Sequence, residues 1–385
     1  MSKRGVKNSL TKDYILSKVS QEMIASKYCK IPLSEVLNCI QENTLICSPL
    51  RVDDHPTFGI QFNNKQKLKL QDFNGSFFGD VFDLVAYVLS FQTGRQINVS
   101  LKADFYYVLK HIAFTFRDMI DGVAVDENNE RLLEFTIDKI KSSKAIIEVA
   151  ARAFNASDKA IWAKWGISLA YLNTHFVVPV DQYYINRYCQ PEPKYYYKAN
   201  DPCYAYVLGM NSSGIYNIKL YFPLRDRGKG EIKFITNCNC LEGVINLDRD
   251  DYDLIVITKS TKDRMSIGCH IDSMRSSTGE GLNIGVINLP SEVYKLRNNE
   301  YAFLKSKLKE NGTIISFLDF DKTGRLGAKY LLETYQIPYI FITNGEFGLA
   351  NYESKDFSEL KEKYSNQTIN EFILETINKF NNGDI

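Results

Sequence analysis

The sequence predicts an α/β fold with a parallel sheet in its C-terminal half, and three observations predict it. Four short apolar segments recur late in the chain, at residues 254–257, 283–289, 313–318 and 339–342. Stretches with helical spacing separate them, near residues 262–270, 290–310 and 325–335. Polar clusters that contain carboxylates follow three of the four segments. Continuous apolar strands that alternate with helices are typical of a parallel sheet covered on both faces.

The composition is that of an ordinary globular protein. The chain has 385 residues, 44% hydrophobic and 24% charged, which suits two or three domains and argues against wholesale disorder. No apolar run approaches the roughly 18 residues that a membrane span needs, and the polar, basic start lacks the apolar stretch of a signal peptide. The eight cysteines include no CxxC pair, the closest two being Cys238 and Cys240. We therefore expect a cytoplasmic protein with free thiols and no membrane partner.

Residues 1–44 form the first predicted segment, which is helical and basic. Apolar residues recur there at helical spacing, at Ile15, Val19, Met23 and Ile24. Seven lysines and arginines stand against two acidic residues within residues 1–30, a local charge of +5, although the whole chain carries only +1. Such a segment either contacts nucleic-acid phosphates or is a solvated helix face or a flexible tail.

Five further segments follow. Residues 45–100 contain two alternating strands with a turn at Asn63-Asn64, and then a helix for which Asp80 is a suitable N-cap. Residues 101–160 are mostly helical and form a connector. Residues 161–250 are rich in tyrosine and short strands. Residues 251–360 carry the parallel sheet, and residues 361–385 form a C-terminal helix or tail.

Three polar clusters lie where predicted parallel strands end, which is where such sheets bind ligands. They are Thr258-Lys-Ser-Thr-Lys-Asp263, Asp319-Phe-Asp321-Lys-Thr-Gly324 and Lys355-Asp356. If the strand persists through Asp319 and Asp321, both carboxylates point the same way and can bind one hard cation such as magnesium. Two such ions about 4 Å apart would activate an attacking hydroxyl and stabilise a leaving pyrophosphate. Arg325 opens a helix whose N-terminus favours phosphate.

The second cluster has two alternative interpretations. Aspartate and glycine are common in turns, so DxDxxG is also simply a turn. The segment Phe317-Leu-Asp-Phe-Asp-Lys-Thr323 also fits the first motif of haloacid-dehalogenase-type phosphatases, with Asp319 as nucleophile and Asp321 as acid/base. That fold begins with this motif and needs later motifs, whereas only about 60 residues follow here. A phosphatase is therefore the minor alternative.

The order of the three clusters resembles the Toprim domain of bacterial-type primases and topoisomerases. That family has an apolar strand ending in Glu-Gly with an Asp four residues after the Glu, then DxDxAG, and then a late acidic residue. Asp263, Asp319, Asp321 and Asp356 stand at its acidic positions. The resemblance implies that Asp263, Asp319 and Asp321 are catalytic. It also implies that Asp319, Asp321 and Asp356 hold Mg²⁺ or Mn²⁺.

Lys259 is the main departure from that family, because Lys259-Ser260 stands where Glu-Gly is expected. A lysine can neither bind a metal ion nor act as the same acid. Glu280 and Glu292 are candidates to replace the missing carboxylate. Lys259 and Lys262 are instead candidates to hold substrate phosphates, with solvent-exposed lysines as the alternative.

The upstream half resembles a primase rather than a topoisomerase. The segments Cys47-Ser-Pro-Leu-Arg-Val-Asp-Asp-His-Pro-Thr-Phe58 and Asp72-Phe-Asn-Gly-Ser-Phe-Phe-Gly-Asp-Val-Phe-Asp-Leu84 resemble the start and end of the primase zinc-binding domain. Of the zinc ligands only Cys47 is present, because Leu50, Asp72 and Gly75 stand where the resemblance places the His and the two later Cys. One thiolate cannot build a tetrahedral zinc site. We therefore predict a zinc-free, zinc-ribbon-like DNA-binding module held by phenylalanines, namely Phe58, Phe62, Phe73, Phe78 and Phe82. Its candidate contacts to template DNA are Arg51, Lys65, Lys67 and Lys69.

A third resemblance lies between these modules. Trp165-Gly-Ile-Ser-Leu-Ala-Tyr-Leu172 resembles the stretch that enters the primase polymerase domain. Residues 221–227 and 233–237 stand where that domain carries basic residues facing phosphates and template. Arg225, Arg227 and Lys233 are therefore candidate nucleotide contacts, with surface charges on strands as the alternative.

The resemblance covers residues 45–90 and 160–360 and is most like zinc-less primases encoded by bacteriophages. It implies synthesis of short RNA primers from NTPs on a single-stranded DNA template. The sequence has no P-loop motif, so a helicase would be a separate partner. The rival hypothesis is a primase-derived protein that binds DNA or a replication partner without catalysis. In an enzyme the carboxylates would converge on an open cleft, whereas in a binding module they would be dispersed, or neutralised by Lys259, Lys262 or Lys322.

Overall fold

A computed structural model describes residues 10–75, 77–120, 127–141, 143–211, 214–278, 283–291, 294–341, 354 and 356–381. Glu280, Glu292 and Lys355 lie outside these ranges. Among the helices within them, none combines the length and the apolar character that crossing a membrane requires. The eight cysteines all lie within them and are free thiols.

The chain forms two compact units. The first comprises Met1–Ala150 and Asp181–Tyr196, and the second comprises Ala151–Val180 and Tyr197–Ile385. Helices, antiparallel sheets and one four-stranded parallel sheet are present, so the predicted α/β class is confirmed. The division into six segments is finer than these two units and stays a prediction.

The helices of the first unit surround a buried central helix. Its N-cap, Asp80, accepts hydrogen bonds from the backbone N–H groups of Phe82 and Asp83, and Asp83 reciprocates in a capping box, as the sequence predicts. Most apolar side chains of this helix are buried, since other helices and a sheet pack around it. The helices are α1 (Lys12–Lys18), α2 (Gln21–Cys29), α3 (Leu33–Glu42), the central α4 (Val81–Thr93), α5 (Lys102–Thr115) and α6 (Glu127–Lys141).

The basic N-terminal segment pairs with acidic side chains of its own unit. Lys27 Nζ lies 3.2 Å from Glu130 Oε1, and Lys30 Nζ lies 2.7 Å from Asp138 Oδ2. Lys12 Nζ lies 3.5 Å from Asp80 Oδ2. For these three lysines the structure therefore favours the solvated-helix alternative over a contact to nucleic acid.

An antiparallel sheet packs beside these helices. Its strands are β1 (Ile46–Cys47), β2 (Pro56–Phe62), β3 (Leu68–Asp72) and β4 (Phe78–Gly79), in that order across the sheet. The hairpin that the alternation and Asn63-Asn64 predict is confirmed by the pairing of β2 with β3. Along β3, Leu68, Leu70 and Asp72 are buried while Lys69 points outward, as a period of two requires.

Two of the five phenylalanines predicted to hold this module do not do so. Phe58 and Phe82 are buried, and Phe62 packs against the same core. Phe73 and Phe78 are instead 47% and 62% exposed. Phe78 lies opposite Gln71 in the sheet, whereas the next residue, Gly79, lies opposite the buried Leu70. Because side chains alternate between the two faces of a strand, Phe78 is on the outward face.

The second unit begins with an antiparallel sheet rich in tyrosine. Strand β6 pairs through its first residues with β8, which pairs with β9, and β9 with β10. Trp162 is buried against Tyr204 and Tyr221 beneath this sheet. In the first unit, β6 pairs with β7 at Gln182 and Tyr183. The elements of this stretch of the chain, in which β7 and most of β5 belong to the first unit, are β5 (Ile147–Ala151), α7 (Ala156–Ala163), α8 (Leu169–Thr174), β6 (Val177–Ile185), β7 (Tyr195–Tyr196), β8 (Tyr204–Met210), β9 (Tyr216–Tyr221) and β10 (Phe234–Thr236).

The rest of the second unit is the predicted strand–helix alternation. Its strands are all parallel, in the order β12, β11, β13, β14. The elements are β11 (Tyr252–Thr258), α9 (Thr261–Thr278), β12 (Ile284–Asn288), α10 (Asn298–Ser306), β13 (Leu308–Phe317), α11 (Lys322–Tyr335), β14 (Tyr339–Ile340), α12 (Phe357–Lys363) and α13 (Asn366–Asn381).

Helices cover both faces of this parallel sheet, and alternate residues of β11 show it. Ile255 and Ile257 pack in one apolar cluster, whereas Leu254 and Val256 pack in another on the opposite face. Complete burial of such a side chain contributes about 1.5–3 kcal/mol. The polar side chains that follow β11 and β13 are thereby held at the carboxyl edge of a rigid sheet.

Candidate metal and phosphate site

Three short segments converge at the carboxyl edge of the parallel sheet. The first runs from the end of β11 into the first turn of α9 and carries Lys259, Lys262 and Asp263. The second joins β13 to α11 and carries Asp319 and Asp321. Thr258 pairs with Phe317, so these two segments leave the sheet from adjacent strands. The third segment is the start of α12 at Asp356.

Asp263 is buried and held by two serines. Its Oδ2 accepts a hydrogen bond of 2.5 Å from the hydroxyl of Ser260, whose own oxygen accepts from the Asp263 N–H at 3.1 Å. Its Oδ1 accepts from both the N–H and the hydroxyl of Ser358, in the first turn of α12. These bonds fix the Asp263 carboxylate in one orientation and tie α12 to the β11–α9 segment.

The Asp319–Asp321 segment differs from the expected extension of the strand. Strand β13 ends at Phe317, and Asp321 is the N-cap of α11, where its Oδ1 accepts from the Gly324 N–H at 2.7 Å. A Cβ atom at Gly324 would collide with the Asp319 carbonyl oxygen, so only glycine allows this close turn. Asp319 is buried, whereas the Asp321 side chain is partly exposed. The two carboxylates therefore have different surroundings rather than one shared strand face.

Asp263, Asp319 and Asp356 form the cluster best suited to a cation. Each can place one carboxylate oxygen within 4.8 Å of the others. Three carboxylate oxygens at such spacing fit a hard divalent cation, which also keeps waters that substrate phosphates can replace. Asp321 is outside this group of three, and its predicted role as a metal ligand stays a prediction.

The ionisation of two of these carboxyls is shifted by their surroundings. Burial and the negative charge of Asp263 raise the pKa of Asp356 to about 6, against the opposing charge of Lys262. Burial also acts to raise the pKa of Asp321. There, however, the Gly324 N–H and the charge of Lys259 outweigh it and lower the pKa below its ordinary value. A carboxyl like Asp356 is expected to bind a metal ion more weakly below pH 6, where a proton competes.

Two lysines lie among the carboxylates. Lys259 Nζ donates to Asp319 Oδ2 at 2.6 Å and lies 3.6 Å from Asp321 Oδ2. Lys262 Nζ lies 3.8 Å from Asp356 Oδ1 and 5.2 Å from the centre of the Trp165 ring. The carboxylates thus both converge and are partly neutralised, which combines features expected separately for an enzyme and for a binding module.

Three of the predicted phosphate contacts lie near one another. Burial lowers the pKa of Lys233, and the positive charges of Lys262 and Arg227 lower it further, which indicates a local cluster of cations. Such a cluster of cations beside the acidic triad suits a triphosphate whose oxygens contact both the cationic side chains and a metal ion held by the carboxylates. Arg325 is exposed in the first turn of α11, over the ring of Phe320.

Arg225 and Arg51 form internal ion pairs. Arg225 makes a bidentate pair with Asp201, at 2.9 and 2.8 Å, and stacks on Phe222. Arg51 is largely buried and bonds to Asp72 and Asp53. Lys65 and Lys67 are exposed, and Lys69 is half-buried with its Nζ 5.5 Å from the centre of the Phe78 ring. The nucleotide and DNA contacts predicted for these residues stay predictions.

Glu242 is a site residue that the sequence analysis missed. It is buried and accepts hydrogen bonds from Lys219 Nζ at 2.6 Å, from the Thr261 hydroxyl and from Asn288 Nδ2 at 3.0 Å. Through Thr261 it holds the start of α9, two residues before Asp263. It lies in a loop with no motif around it, so its only sequence signal was a carboxylate shortly before the first parallel strand.

Comparison with known proteins gives matches among solved structures alone. No family model matches the chain, and no curated protein matches it. Among solved structures, the chain is similar to one chain of a structure described as bacteriophage T7 lagging-strand DNA polymerase interacting with primase domains of two gp4 subunits bound to an RNA/DNA hybrid and dTTP. The match has 13% identity and a TM-score of 0.33, and covers 60% of this chain and 90% of that chain. A similarity this low carries no argument about function.

Proposed function

We propose that the chain is a primase-type nucleotidyltransferase that makes short RNA primers on single-stranded DNA with Mg²⁺ or Mn²⁺. The observation that carries the proposal is the convergence of Asp263, Asp319 and Asp356 at the carboxyl edge of the parallel sheet. The resemblance of the same positions to the Toprim pattern supports the same chemistry. A separate helicase would be the partner in replication.

The residues of the site have distinct parts in this reaction. A divalent ion held by the three aspartates would polarise the incoming triphosphate and help the pyrophosphate to leave. Asp263 is fixed by Ser260 and Ser358, so it would keep the metal ligands in position. Lys262, Lys233 and Arg227 would hold the phosphates by charge. Arg325, in the first turn of α11, would add a positive charge for the same phosphates, and Asp321 would hold the start of that helix as its N-cap.

Primer synthesis on single-stranded DNA with NTPs and Mg²⁺ or Mn²⁺ tests this function. We expect metal-dependent short RNAs from the wild type. Asp263→Asn and Asp319→Asn are expected to lower the yield to about 1% or less. Each removes a carboxylate ligand of the divalent ion that would stabilise the negative charge of the transition state. Asp321→Asn measures the contribution of the remaining acidic position. The matched control is Asp250→Asn, an exposed aspartate of the same unit whose only described role is a pair with Lys307, and it is expected to retain full activity.

Two results would contradict the proposal. The first is primer synthesis that survives in Asp263→Asn. The second is wild-type protein that makes no primer under any metal, with or without a helicase, but binds DNA normally. Release of phosphate from p-nitrophenyl phosphate, lost in Asp319→Asn, would instead support the phosphatase alternative.

The second candidate function is DNA or replication-partner binding without catalysis. The contact that favours it is the 2.6 Å hydrogen bond from Lys259 to Asp319, because an ammonium group competes with a metal ion for that carboxylate. Under this hypothesis, Asp263→Asn and Asp319→Asn would leave DNA affinity unchanged and no primer would form in any variant.

A further inference from the structure

Lys259 is placed by the sheet directly against the two aspartates of the β13–α11 segment. It follows the last residue of β11, and the pairing of Thr258 with Phe317 brings it beside the start of that segment. Its side chain is only 17% exposed, and its Nζ lies 2.6 Å from Asp319 and 3.6 Å from Asp321. Lys259 is thus a positive charge at fixed position between the two carboxylates of the DxD motif.

An ammonium group at this position competes with a divalent ion. Magnesium would bind the same oxygens at about 2.1 Å, which leaves no room for the ammonium on the oxygen that it now contacts. A divalent ion beside a partly buried ammonium is also repelled by it. The Asp319–Asp321 pair therefore already has its counter-cation, supplied by the chain itself.

Resting on the proposed metal-dependent function, we propose that Lys259 acts as a tethered cation in place of a second divalent ion. The site then binds one divalent ion, at Asp263, Asp319 and Asp356, and no second ion binds between Asp319 and Asp321 while Lys259 is present. Lys259 is a positioning residue under this proposal, because it neutralises Asp319 and Asp321 and fixes their orientation. This assignment also replaces the phosphate contact predicted for Lys259 from sequence.

Direct measurement of Mn²⁺ binding, without nucleotide or DNA, tests the proposal. Bound and free Mn²⁺ are separated by electron paramagnetic resonance at pH 8 for wild type, Lys259→Met and Lys259→Glu. We expect one ion per chain in wild type. We expect a second ion, or binding at least about tenfold tighter, in Lys259→Met, because the repelling charge is gone. Lys259→Glu adds a carboxylate and is expected to bind two.

Three further variants serve as controls. Lys307→Met is the matched control, because Lys307 is 19% exposed and pairs with Asp250 at the same 2.6 Å distance, away from the triad. It is expected to bind Mn²⁺ like wild type, and so is Lys259→Arg, which keeps the charge. Lys259→Gln loses the charge but keeps a hydrogen-bond donor for Asp319, and it replaces Lys259→Met if that variant does not fold, as judged by circular dichroism.

The outcomes separate this proposal from the proposed function. Two ions in wild type, or identical binding in wild type and in all the charge-removing variants, would overturn the tethered cation while leaving a metal-dependent enzyme intact. No binding in wild type but binding in Lys259→Met would show that Lys259 excludes the first ion as well, which would overturn the one-ion assignment and count against the metal-dependent enzyme. No binding in any variant would overturn both.

Discussion

Arg51 donates two hydrogen bonds to the carboxylate of Asp72, from Nε and Nη2, each at 3.0 Å. Asp72 also accepts from the hydroxyl of Ser48 at 2.6 Å and from the Gly75 N–H at 2.8 Å. Asp72 and Gly75 are two of the positions at which the family resemblance places zinc ligands. A buried ion pair with its hydrogen bonds satisfied therefore joins the two ends of the β2–β3 hairpin, where a metal would otherwise join them.

Loss of either partner of the Arg51–Asp72 pair is expected to destabilise the module strongly. Asp72→Asn or Arg51→Met should each lower the free energy of opening of β2 and β3 by about 3–5 kcal/mol. Asp72→Asn leaves the buried Arg51 with only one of its two carboxylates, Asp53, and Arg51→Met leaves both buried carboxylates without their cation. Native-state hydrogen exchange of the β2 and β3 amides measures that free energy.

The double variant and an exposed pair complete this test. Arg51→Met with Asp72→Leu should cost less than the sum of the single changes, because both remove the same ion pair and Asp53 is then the one carboxylate of this network that has lost its arginine. Lys30→Met breaks the exposed Lys30–Asp138 pair and should change the free energy by less than about 1 kcal/mol. Single variants no worse than Lys30→Met would show that the pair is not what holds the module.

The same module is expected to be independent of zinc. Because the polar network occupies the place of the ligands and Cys47 is the sole remaining thiolate of the pattern, purified protein should contain no stoichiometric zinc. A strong chelator should leave its melting temperature unchanged. Stoichiometric zinc by mass spectrometry, lost together with stability on chelation, would contradict this prediction.

The outer face of the β2–β3–β4 sheet is expected to bind single-stranded DNA. Lys69 Nζ lies 5.5 Å from the ring of Phe78, and that ring is 62% exposed. Phe78→Ala should cost about 1–3 kcal/mol of binding free energy, since a stacked base is lost. Lys67→Met and Lys69→Met should each reduce the slope of log affinity against log salt by about 0.7. Fluorescence anisotropy at several salt concentrations measures both quantities.

Phe135 provides the control for that face. Its ring is 66% exposed on α6, in the same unit but on a different element. Phe135→Ala should leave the affinity for DNA unchanged. Equal losses of DNA affinity in Phe78→Ala and Phe135→Ala would show that exposed aromatic rings contribute wherever they lie, and would contradict a binding site on the β2–β3–β4 sheet.

The sequence predicted those parts of the fold that depend on local pattern. Alternation along β3 and continuous apolar runs such as β11 identified the strands, and Asp80 identified the start of α4, because each depends only on neighbouring residues. The order of the strand-end clusters predicted that acidic side chains gather at one edge of the sheet, and Asp263, Asp319 and Asp356 do lie close together there. Their roles, and the predicted metal set of Asp319, Asp321 and Asp356, stay predictions.

The sequence did not predict which partners the charged residues would choose. Arg51 was predicted to contact DNA and Arg225 to contact the nucleotide. In the structure each forms an ion pair with an aspartate that is distant in sequence, which no local pattern indicated. Asp321 would share a strand face with Asp319 if the strand continued, but β13 ends at Phe317 and Asp321 is the N-cap of α11. Such choices depend on tertiary distances, which no local pattern encodes. Glu242 was missed for the same reason.

Glu242 is expected to hold the Asp263 segment in place. Glu242→Gln removes the charge that compensates the buried Lys219 and should destabilise the second unit by about 3–5 kcal/mol. Thr261→Val removes only a hydroxyl and should cost about 1–2 kcal/mol. Trp162 and Trp165 both lie in the second unit, so their fluorescence reports its unfolding.

A readout besides stability separates positioning from packing at Glu242. Thr261→Val should weaken Mn²⁺ binding, because Thr261 links Glu242 to the start of α9 and so to Asp263. Adding Lys219→Met to Glu242→Gln should recover part of the stability but not the Mn²⁺ affinity. Full recovery of both the stability and the Mn²⁺ affinity would show that Glu242 acts only as the counter-ion of Lys219.

Asp356 is expected to make the stability of the metal-free protein depend on pH. Its folded-state pKa is raised from 3.8 to about 6 by burial and by the charge of Asp263, with Asp319 adding to the effect and Lys262 opposing it. The folded chain therefore binds this proton more tightly than the unfolded chain. That stabilisation is complete below about pH 4 and is lost as the pH rises through 6.

Asp356→Asn tests this dependence, since asparagine caps α12 as well as aspartate does. In EDTA the variant should be more stable than wild type by about 1–3 kcal/mol at pH 8, because ionised Asp356 is costly there. The advantage should shrink to less than half at pH 4.5. Mg²⁺ at pH 8 should stabilise wild type but not the variant, because the metal binds the ionised carboxylate. Tryptophan fluorescence during urea unfolding measures each free energy, and an advantage independent of pH would show that Asp356 does not titrate near 6.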